Sequence, residues 1–373
     1  MKKVLVAATS FALLATTFSI APAHAAGVPA SSARYGLACD TLNQTAPRRG
    51  ADGSNLVCKV ETNGTSKGKR VWAYPTFPVI RDMDLLMPGS AGGGYDLFGR
   101  ELMRSMKAEG TLTNQATFRN VTGAGGTKGL SSFLYNDYRK PGKGLVVGFA
   151  LVGGVASTKV NFKTSDTVPT ARMMGEWNVV VVPADSPYKT LADLTADIKA
   201  KKTALPIAGG NLGGVDHYTA VLMYEALGLT IKDLNYVVYS GGAEVTAALL
   251  NGSSKAGISG VAEFSEQVRA GTLRILGVSS NSRVPGVDAP TMKSQGVNVV
   301  VGNWRGIHLP KGTSTANRNL VIRALDVTRN GATWRGVMRD NVWANNWLPG
   351  NAYNTWLQRQ ETTIGNIYKE LGL

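Results

Sequence analysis

Glycine-rich turns that could bind an anion occur four times in this sequence. The first, residues 88–96, follows the apolar run 83–87 and precedes Phe98, Leu102 and Met106 at helical spacing. Glycine leaves backbone N–H groups accessible, and the following helix adds the positive end of its dipole. Such a turn can hold an anion without a basic side chain, whereas a lone glycine run is more often a flexible loop.

The same chemistry recurs at residues 120–126, 209–214 and 240–243, each time before a helix-like segment. In an open α/β sheet, the carboxyl ends of the strands open into one crevice. We therefore expect the turns to converge on one carboxylate or phosphate. The turn residues predicted to contact the ligand are Ser90, Ala91, Gly92, Gly93, Gly94, Gly123, Ala124, Gly126, Asn211, Leu212, Gly213, Gly214, Ser240, Gly241 and Gly242.

Four further side chains are candidate ligand contacts. Arg305 carries a planar guanidinium that suits a carboxylate, or else it forms a salt bridge beside a core Trp304. Asp216 and His217 fall in the first turn of a predicted helix, where they either cap that helix or contact the ligand. Asp96 would repel an anion aimed at it, so it caps its own helix or accepts a hydrogen bond from a ligand hydroxyl.

Catalytic and nucleotide-binding motifs fail on inspection. Residues 123–129 lack the Walker A spacing and the third glycine of a dinucleotide fingerprint. Residues 257–261 lack the final glycine of a GxSxG nucleophile elbow. The sequence leaves open a Ser/His/Asp triad that uses His217 or His308, but nothing supports it. No cofactor is predicted, and no cysteine or histidine spacing indicates a metal site.

The first 25 residues are typical of a secretory signal. Lys2 and Lys3 precede the apolar segment 4–20, and residues 23–25 form a small-x-small cleavage site. We therefore predict export to the periplasm with cleavage after Ala25. No later segment is apolar over the length of a membrane span, so stable membrane insertion is not expected.

The formal net charge of +15 would suit nucleic acid, an anionic membrane or a small anion. The basic residues are scattered, with short clusters only at residues 48–49 and 67–70. This scatter argues against a nucleic-acid partner and is compatible with a small anionic ligand.

Cys39 and Cys58 are predicted to form a disulfide, because the cysteine count is even in an exported chain. The bond would close a polar, glycine-rich loop with little core of its own. Residues 26–81 have no clear periodicity, so we interpret them as an irregular, disulfide-stapled N-terminal extension.

From residue 82 onward, strand-like and helix-like segments alternate, which predicts an α/β fold. The predicted strands cover residues 84–87, 117–121, 145–150, 178–182, 205–208, 236–239, 255–259, 273–279 and 297–301. The predicted helices cover residues 127–135, a segment that begins at Thr190, and residues 214–227, 243–250, 318–330 and 353–371.

From Leu85 to Leu373 the sequence resembles the periplasmic receptors of tripartite tricarboxylate transporters, also called Bug receptors. Residues 88–96 match the pattern Pro-x-x-x-Gly-Gly-Gly-x-Asp, and residues 120–126 match Asn-x-x-Gly-Ala-Gly-Gly. Further blocks follow in family order at residues 209–217, 239–252, 270–274, 289–296 and 303–313. Their order and spacing make the match specific.

The resemblance implies a two-lobed type II periplasmic-binding fold, or Venus flytrap, with the ligand between the lobes. It implies that residues 90–94 and 211–217 hold a carboxylate, partly through bridging waters. We expect residues 82–177 and 281–373 to form one lobe and residues 178–280 the other. Strands at 178–182 and 273–279 would cross between them.

The resemblance also implies a receptor without catalysis. It would capture a small organic di- or tricarboxylate, citrate-like, and deliver it to the membrane subunits of a tripartite tricarboxylate transporter. The first alternative is a receptor of the same fold that serves a signalling system or another transporter. The second alternative is an exported hydrolase.

Overall fold

The computed structural model describes residues 26–158, 160–210, 212–239 and 242–370. The predicted signal segment and its cleavage site at Ala25 lie outside these residues. Within them, the strands are β1 Thr45–Ala46, β2 Leu56–Val60, β3 Arg70–Ala73, β4 Met83–Met87, β5 Ala116–Asn120, β6 Lys143–Gly148, β7 Val168–Pro183, β8 Pro206–Gly209, β9 Asn235–Val238, β10 Ala256–Gly260, β11 Leu273–Val278, β12 Gly302–Leu309 and β13 Ala344–Pro349. The α-helices are α1 Gly94–Ala108, α2 Thr127–Asn136, α3 Phe149–Thr158, α4 Leu191–Lys201, α5 Val215–Ala226, α6 Gly242–Leu250, α7 Val261–Arg269, α8 Thr315–Arg329, α9 Ala332–Asp340 and α10 Gly350–Glu370.

The main sheet runs in the order β5-β4-β6-β12-β7-β10-β8-β9, and β11 and β13 also pair with β7. Near one end, β4 pairs in parallel with β5 and β6. Towards the other, β8 pairs in parallel with β9 and β10. Each parallel set therefore opens its carboxyl ends into turns that lead to helices, the arrangement that builds ligand crevices in α/β sheets.

The long strand β7 joins the two halves of this sheet. Residues 168–177 pair with β12, whereas residues 178–183 pair with β10 and β11. Its side chains from Val179 to Val182 are all buried, as expected for a strand that is covered on both faces. We call the half that contains β4–β6, β12 and β13 lobe 1, and the half that contains β8–β11 lobe 2.

The return from lobe 2 to lobe 1 differs from the expectation. Within the described residues, β11 pairs only with residues 179–183 of β7, in lobe 2, so residues 273–279 do not form a crossing strand. Val284, Val287 and Ala289 pack in one cluster with Val179 of lobe 2. This packing favours a return of the chain from lobe 2 to lobe 1 near residue 301. The lobe boundary that the sequence analysis placed at 280/281 stays a prediction.

The predicted strand at residues 297–301 is wrong, because those residues have no regular secondary structure and β12 begins at Gly302. Val297, Val299 and Val301 do alternate with more exposed residues, and all three are buried in the core. The alternation of buried and exposed side chains therefore belongs to an irregular segment that packs against the core, and not to a strand. Helices α3, α7 and α9 and strands β12 and β13 had no counterpart among the predictions.

The extension is more ordered than its sequence indicated. β1, β2 and β3 form an antiparallel sheet over a core that includes Trp72 and Tyr74. The predicted disulfide between Cys39 and Cys58 is present, with the two Cα atoms 5.8 Å apart, and both residues are buried. The sheet docks on α8 of lobe 1, where the Tyr74 hydroxyl lies 2.8 Å from Asp326 Oδ2.

None of the helices in the described part of the chain combines enough length with enough apolar residues to cross a membrane.

Candidate ligand cleft

A cavity of about 540 Å³ lies between the glycine turns of lobe 1 and the third glycine turn, in lobe 2. We call it the glycine cavity. It is lined by Pro88, Gly89, Ser90, Gly93, Gly94, Tyr95, Thr122, Gly123, Gly125, Gly126, Ala150, Gly154, Ser157, Leu212, Gly213, Gly214 and Tyr368.

The first turn connects β4 to α1, and its shape is held by Asp96. The Asp96 carboxylate accepts a hydrogen bond from the Gly92 N–H at 2.9 Å, and Gly92 has a φ of +78° that favours glycine. Arg100 Nε donates to the same carboxylate at 2.9 Å and lowers the pKa of Asp96. Asp96 therefore caps the turn and does not line the cavity.

The second turn connects β5 to α2 and has a positive φ at each of four successive residues, from 123 to 126. At Gly125 the backbone approaches Gly154 of α3 so closely that an added Cβ would lie 2.7 Å from the Gly154 Cα. Glycine is needed at both positions, because any side chain would separate the turn from α3.

Tyr95 connects the first turn to α3. Its hydroxyl accepts a hydrogen bond from the Leu151 N–H at 2.9 Å, and Tyr95 also lines the cavity. Burial raises the pKa of Tyr95 to about 12, which keeps the hydroxyl protonated at neutral pH. Tyr95 is thus a lining residue, held in place by α3, that sequence reasoning missed.

The third turn connects β8 to α5, and Asp216 and His217 hold it from within. Asp216 Oδ2 accepts from the Gly210 N–H, and His217 Nδ1 accepts from the Gly213 N–H, each at 3.1 Å. Burial lowers the pKa of His217 to about 4, so the ring is neutral and Nδ1 can accept. Burial, together with the nearby Glu263, raises the pKa of Asp216 to about 7.

Tyr368 closes one side of the cavity from the C-terminal helix α10. Its hydroxyl donates to the carbonyl oxygen of Gly213, so it ties α10 to the third turn. The helix α10 also packs against α3. Nothing local in the sequence around residue 368 indicates this contact, because it joins residues 155 positions apart.

Helix ends contribute to the electrostatics of the glycine cavity. Among the described residues that line it, none is Asp, Glu, Lys or Arg. Gly93, Gly126 and Gly214, the N-cap residues of α1, α2 and α5, line it, as does Ala150 in the first turn of α3. The first N–H groups of a helix lack intrahelical partners, and its N-terminus carries partial positive charge. Four such termini can stabilise an anion.

A model of the family described as "Tripartite tricarboxylate transporter family receptor" matches residues 116–373. The chain belongs to this family. The match begins with β5, so the first glycine turn lies ahead of the residues that it covers. The family description is that of receptors and not of enzymes.

The chain is also similar to curated proteins and to solved structures. The chain is 26% identical over 258 residues to the UPF0065 protein in the TAR-I ttuE-ttuC' intergenic region of Agrobacterium vitis. This match covers 68% of this chain and 71% of that protein. A TctC solute binding protein from Polaromonas, solved without ligand, has a TM-score of 0.65 at 23% identity, over 80% of this chain and 100% of the other. MatC from Rhodopseudomonas palustris, solved with bound malate, has a TM-score of 0.65 at 19% identity, over 79% of this chain and 99% of the other.

Arg305 of this receptor does not line the glycine cavity. Its Nη1 lies 3.4 Å from Glu176 Oε2, and both residues are buried. The guanidinium packs under Gly94 so closely that no Cβ would fit there. Burial raises the pKa of Glu176, and the charge of Arg305 opposes that rise. Arg305 therefore supports the first turn from below, and Trp304 is buried against Tyr353 and Trp356.

The structure brings eight of the predicted site residues to the cavity, namely Ser90, Gly93, Gly94, Gly123, Gly126, Leu212, Gly213 and Gly214. Eight others do not line it, namely Ala91, Gly92, Asp96, Ala124, Asp216, His217, Gly242 and Arg305. Gly242 instead donates its N–H to Glu263 at 2.5 Å. Asn211, Ser240 and Gly241 lie outside the described residues.

Nine lining residues were missed: Pro88, Gly89, Tyr95, Thr122, Gly125, Ala150, Gly154, Ser157 and Tyr368. The glycine pair Gly153-Gly154, which begins three residues after the predicted strand 145–150, is a signal that could have indicated α3 as a fourth element of the site. In the described part of the chain, no group of three or more His, Cys, Asp or Glu residues is arranged to hold a metal ion.

Proposed function

We propose that this receptor binds a small organic di- or tricarboxylate in the glycine cavity and delivers it to the membrane subunits of a tripartite tricarboxylate transporter. The observation that carries the proposal is the convergence of four helix N-termini on a cavity whose described lining has no charged side chain. Such a cavity favours an anion and recognises it by backbone N–H groups.

The arrangement suits a ligand that carries more than one carboxylate group. Gly94 and Gly126 face the cavity from lobe 1, and Gly214 faces it from lobe 2. A ligand with carboxylates at both ends can use both sets of N–H groups at once. The hydroxyls of Ser90 and Tyr95 offer hydrogen bonds to a ligand hydroxyl or to bridging water. MatC, which shares the fold, was solved with malate, a hydroxy dicarboxylate.

Binding by both lobes also couples the ligand to a change of shape. A ligand that touches the turns of both lobes binds the closed form better than the open form, so it shifts the population toward closure. Such a closed, loaded form could then be distinguished by the membrane subunits. Export to the periplasm with cleavage after Ala25 belongs to the same proposal, because the transporter must meet its receptor outside the cytoplasm.

A receptor of the same fold that serves a signalling system or another transporter is the alternative, since the cavity would be the same. A hydrolase is less well supported. His217 is held by the Gly213 N–H, and His308 is buried between Thr167 and Tyr353. Neither histidine lines the glycine cavity.

Titration calorimetry of the mature protein tests the proposal, with citrate, malate and succinate as ligands and acetate as the monocarboxylate control. We expect saturable binding of at least one di- or tricarboxylate, much weaker binding of acetate, and unchanged ligand recovered after incubation. Absence of saturable binding across a wider panel of di- and tricarboxylates would overturn the ligand class. Loss of ligand uptake on deletion of the membrane subunits separates transport from signalling.

A further inference from the structure

A second, strongly basic pocket lies where the N-terminal extension docks on lobe 1. It has a volume of about 260 Å³ and shares no lining residue with the glycine cavity. We call it the arginine pocket. It is lined by Arg34, Arg48, Arg49, Gly50 and Ala51 of the extension and by Asp326, Arg329 and Trp347 of lobe 1.

The pocket is built by a hydrogen-bond chain between the two parts. The Ala51 N–H donates to the Tyr74 hydroxyl at 3.0 Å, and that hydroxyl donates to Asp326 Oδ2 at 2.8 Å. On the other side, Arg329 Nη2 lies 2.7 Å from Asp326 Oδ1. The turn that carries Arg48 and Arg49 is thereby fixed to α8, so its position does not depend on a bound ligand.

Positive charge exceeds negative charge in this pocket. Asp326, the one carboxylate in the lining, is 3% exposed and already bonded to Tyr74 and Arg329. Within the described residues, no carboxylate lies within bonding distance of Arg48 or Arg49. Arg34 donates to the carbonyl oxygen of Ala33, which carries no charge. Four guanidinium groups around one occupied carboxylate leave a net positive charge, which an anion between them would offset.

The far wall of the pocket is aromatic. Arg329 stacks on the ring of Trp347 with its Cζ 4.8 Å from the ring centroid. This contact fixes the plane of the guanidinium and directs its remaining donors. Arg49 is half-buried, whereas Arg34 and Arg48 are exposed at the entrance. The pocket therefore has a fixed floor and a basic rim.

We propose that the arginine pocket binds a phosphate group. Guanidinium forks from different directions match the tetrahedral oxygens of phosphate, which can accept from several arginines at once. The volume is suited to a small group and is about half that of the glycine cavity. The phosphate belongs either to a small phosphate compound or to a lipid headgroup that reaches the pocket past Arg34 and Arg48. The inference goes beyond carboxylate binding and does not depend on it.

The test uses the mature protein and the double variant Arg48→Ala/Arg49→Ala. Inorganic phosphate is titrated by calorimetry at low and high salt, and phosphatidylglycerol vesicles are compared with phosphatidylcholine vesicles by sedimentation. We expect saturable binding of phosphate or of the phosphatidylglycerol vesicles, weakened at least about tenfold in the variant, since charge-assisted hydrogen bonds are lost. Binding of phosphate alone assigns the site to small compounds, and vesicle binding assigns it to lipid.

Two matched variants serve as controls for the loss of charge and for the loss of the planar guanidinium. Arg283→Ala/Arg359→Ala removes the same charge from two exposed positions outside the arginine pocket and should bind like the wild type. Arg48→Lys/Arg49→Lys keeps the charge, is expected to fold, and should still bind several-fold more weakly because the planar forks are lost. The proposal is overturned if neither phosphate nor phosphatidylglycerol vesicles bind, or if the Arg283/Arg359 and Arg48/Arg49 alanine variants lose affinity equally. Full affinity in the lysine variant would likewise overturn the proposal, because that result would show non-specific electrostatic attraction and not a defined site.

Discussion

Arg305 and Glu176 form a buried ion pair, with Nη1 and Oε2 3.4 Å apart, beneath the first glycine turn. The pair joins β12 to β7 at the strand that links the lobes. Arg305, which the sequence offered as a ligand contact or a salt-bridge residue, is therefore engaged by a protein carboxylate.

We expect Arg305→Met to destabilise the fold by about 3–5 kcal/mol, because it leaves Glu176 buried and unpaired. The double variant Arg305→Met/Glu176→Gln should recover most of that loss, as measured by chemical denaturation. Calorimetry should find carboxylate affinity nearly unchanged in the double variant. A large loss of affinity in the folded double variant would instead assign Arg305 to the ligand.

The first glycine turn offers a matched pair of substitutions. Gly93 lines the cavity and has a φ of −78°, which any residue adopts, whereas Gly92 does not line it and has a φ of +78°. Gly93→Val should therefore weaken ligand binding with little loss of stability. Gly92→Val should lower the free energy of unfolding by about 1–2 kcal/mol. Equal affinity of wild type and Gly93→Val in calorimetry would show that the turn is not the site.

Asp216 should give the stability a specific pH dependence. Its pKa is raised to about 7 in the folded protein, while an unfolded aspartate titrates near 4. Between these values the folded state binds more protons, so this contribution to stability falls as the pH rises from about 4 to 7. The total change is at most about 4 kcal/mol, at 1.36 kcal/mol for each pKa unit.

The variant Asp216→Asn isolates this contribution, because His217 and other groups titrate over the same range. The free energy of unfolding of the wild type, minus that of the variant, should decrease from pH 4 to pH 7 and then level off. Denaturation at several pH values measures it. Parallel curves for the two proteins would contradict the raised pKa.

The disulfide should stabilise the extension without affecting ligand binding. Cys39→Ser/Cys58→Ser removes a bond that closes a loop with a sequence separation of 19, which is worth about 3 kcal/mol in the entropic account. Limited proteolysis should cut residues 26–81 faster in the variant, while carboxylate affinity stays the same. Lower affinity would show that the extension is coupled to the glycine cavity.

Tyr368 should favour the closed form, since its hydroxyl bonds to the Gly213 carbonyl oxygen across the cleft. Tyr368→Phe removes a hydrogen bond worth about 1 kcal/mol and should raise the Kd about fivefold by lowering the closed population. Tyr135→Phe, at an exposed tyrosine, is the control. Small-angle scattering should show ligand-induced compaction in both the Tyr368→Phe variant and the Tyr135→Phe control. Unchanged affinity in Tyr368→Phe would assign the contact to packing alone.

The sequence by itself determined the family, the α/β class, the disulfide and three of the glycine turns. These features are local, because turn glycines, capping residues and buried apolar runs depend on neighbours within a few positions. Thr190, for example, begins α4 with the capping box that its sequence predicted. The regular strand β4 and helix α5 likewise lie within two residues of their predicted bounds.

Only the tertiary structure decided which of these residues line the glycine cavity. Asp216 and His217 have side chains that could contact a ligand. In the structure they instead accept hydrogen bonds from backbone N–H groups of their own turn. Tyr368 reaches the cavity from the C-terminal helix, and Arg49 lines one pocket with Arg329 only because the extension docks on α8. Such pairings are separated by more than a hundred residues, and their energies depend on burial and distance. Neither quantity exists until the chain has folded.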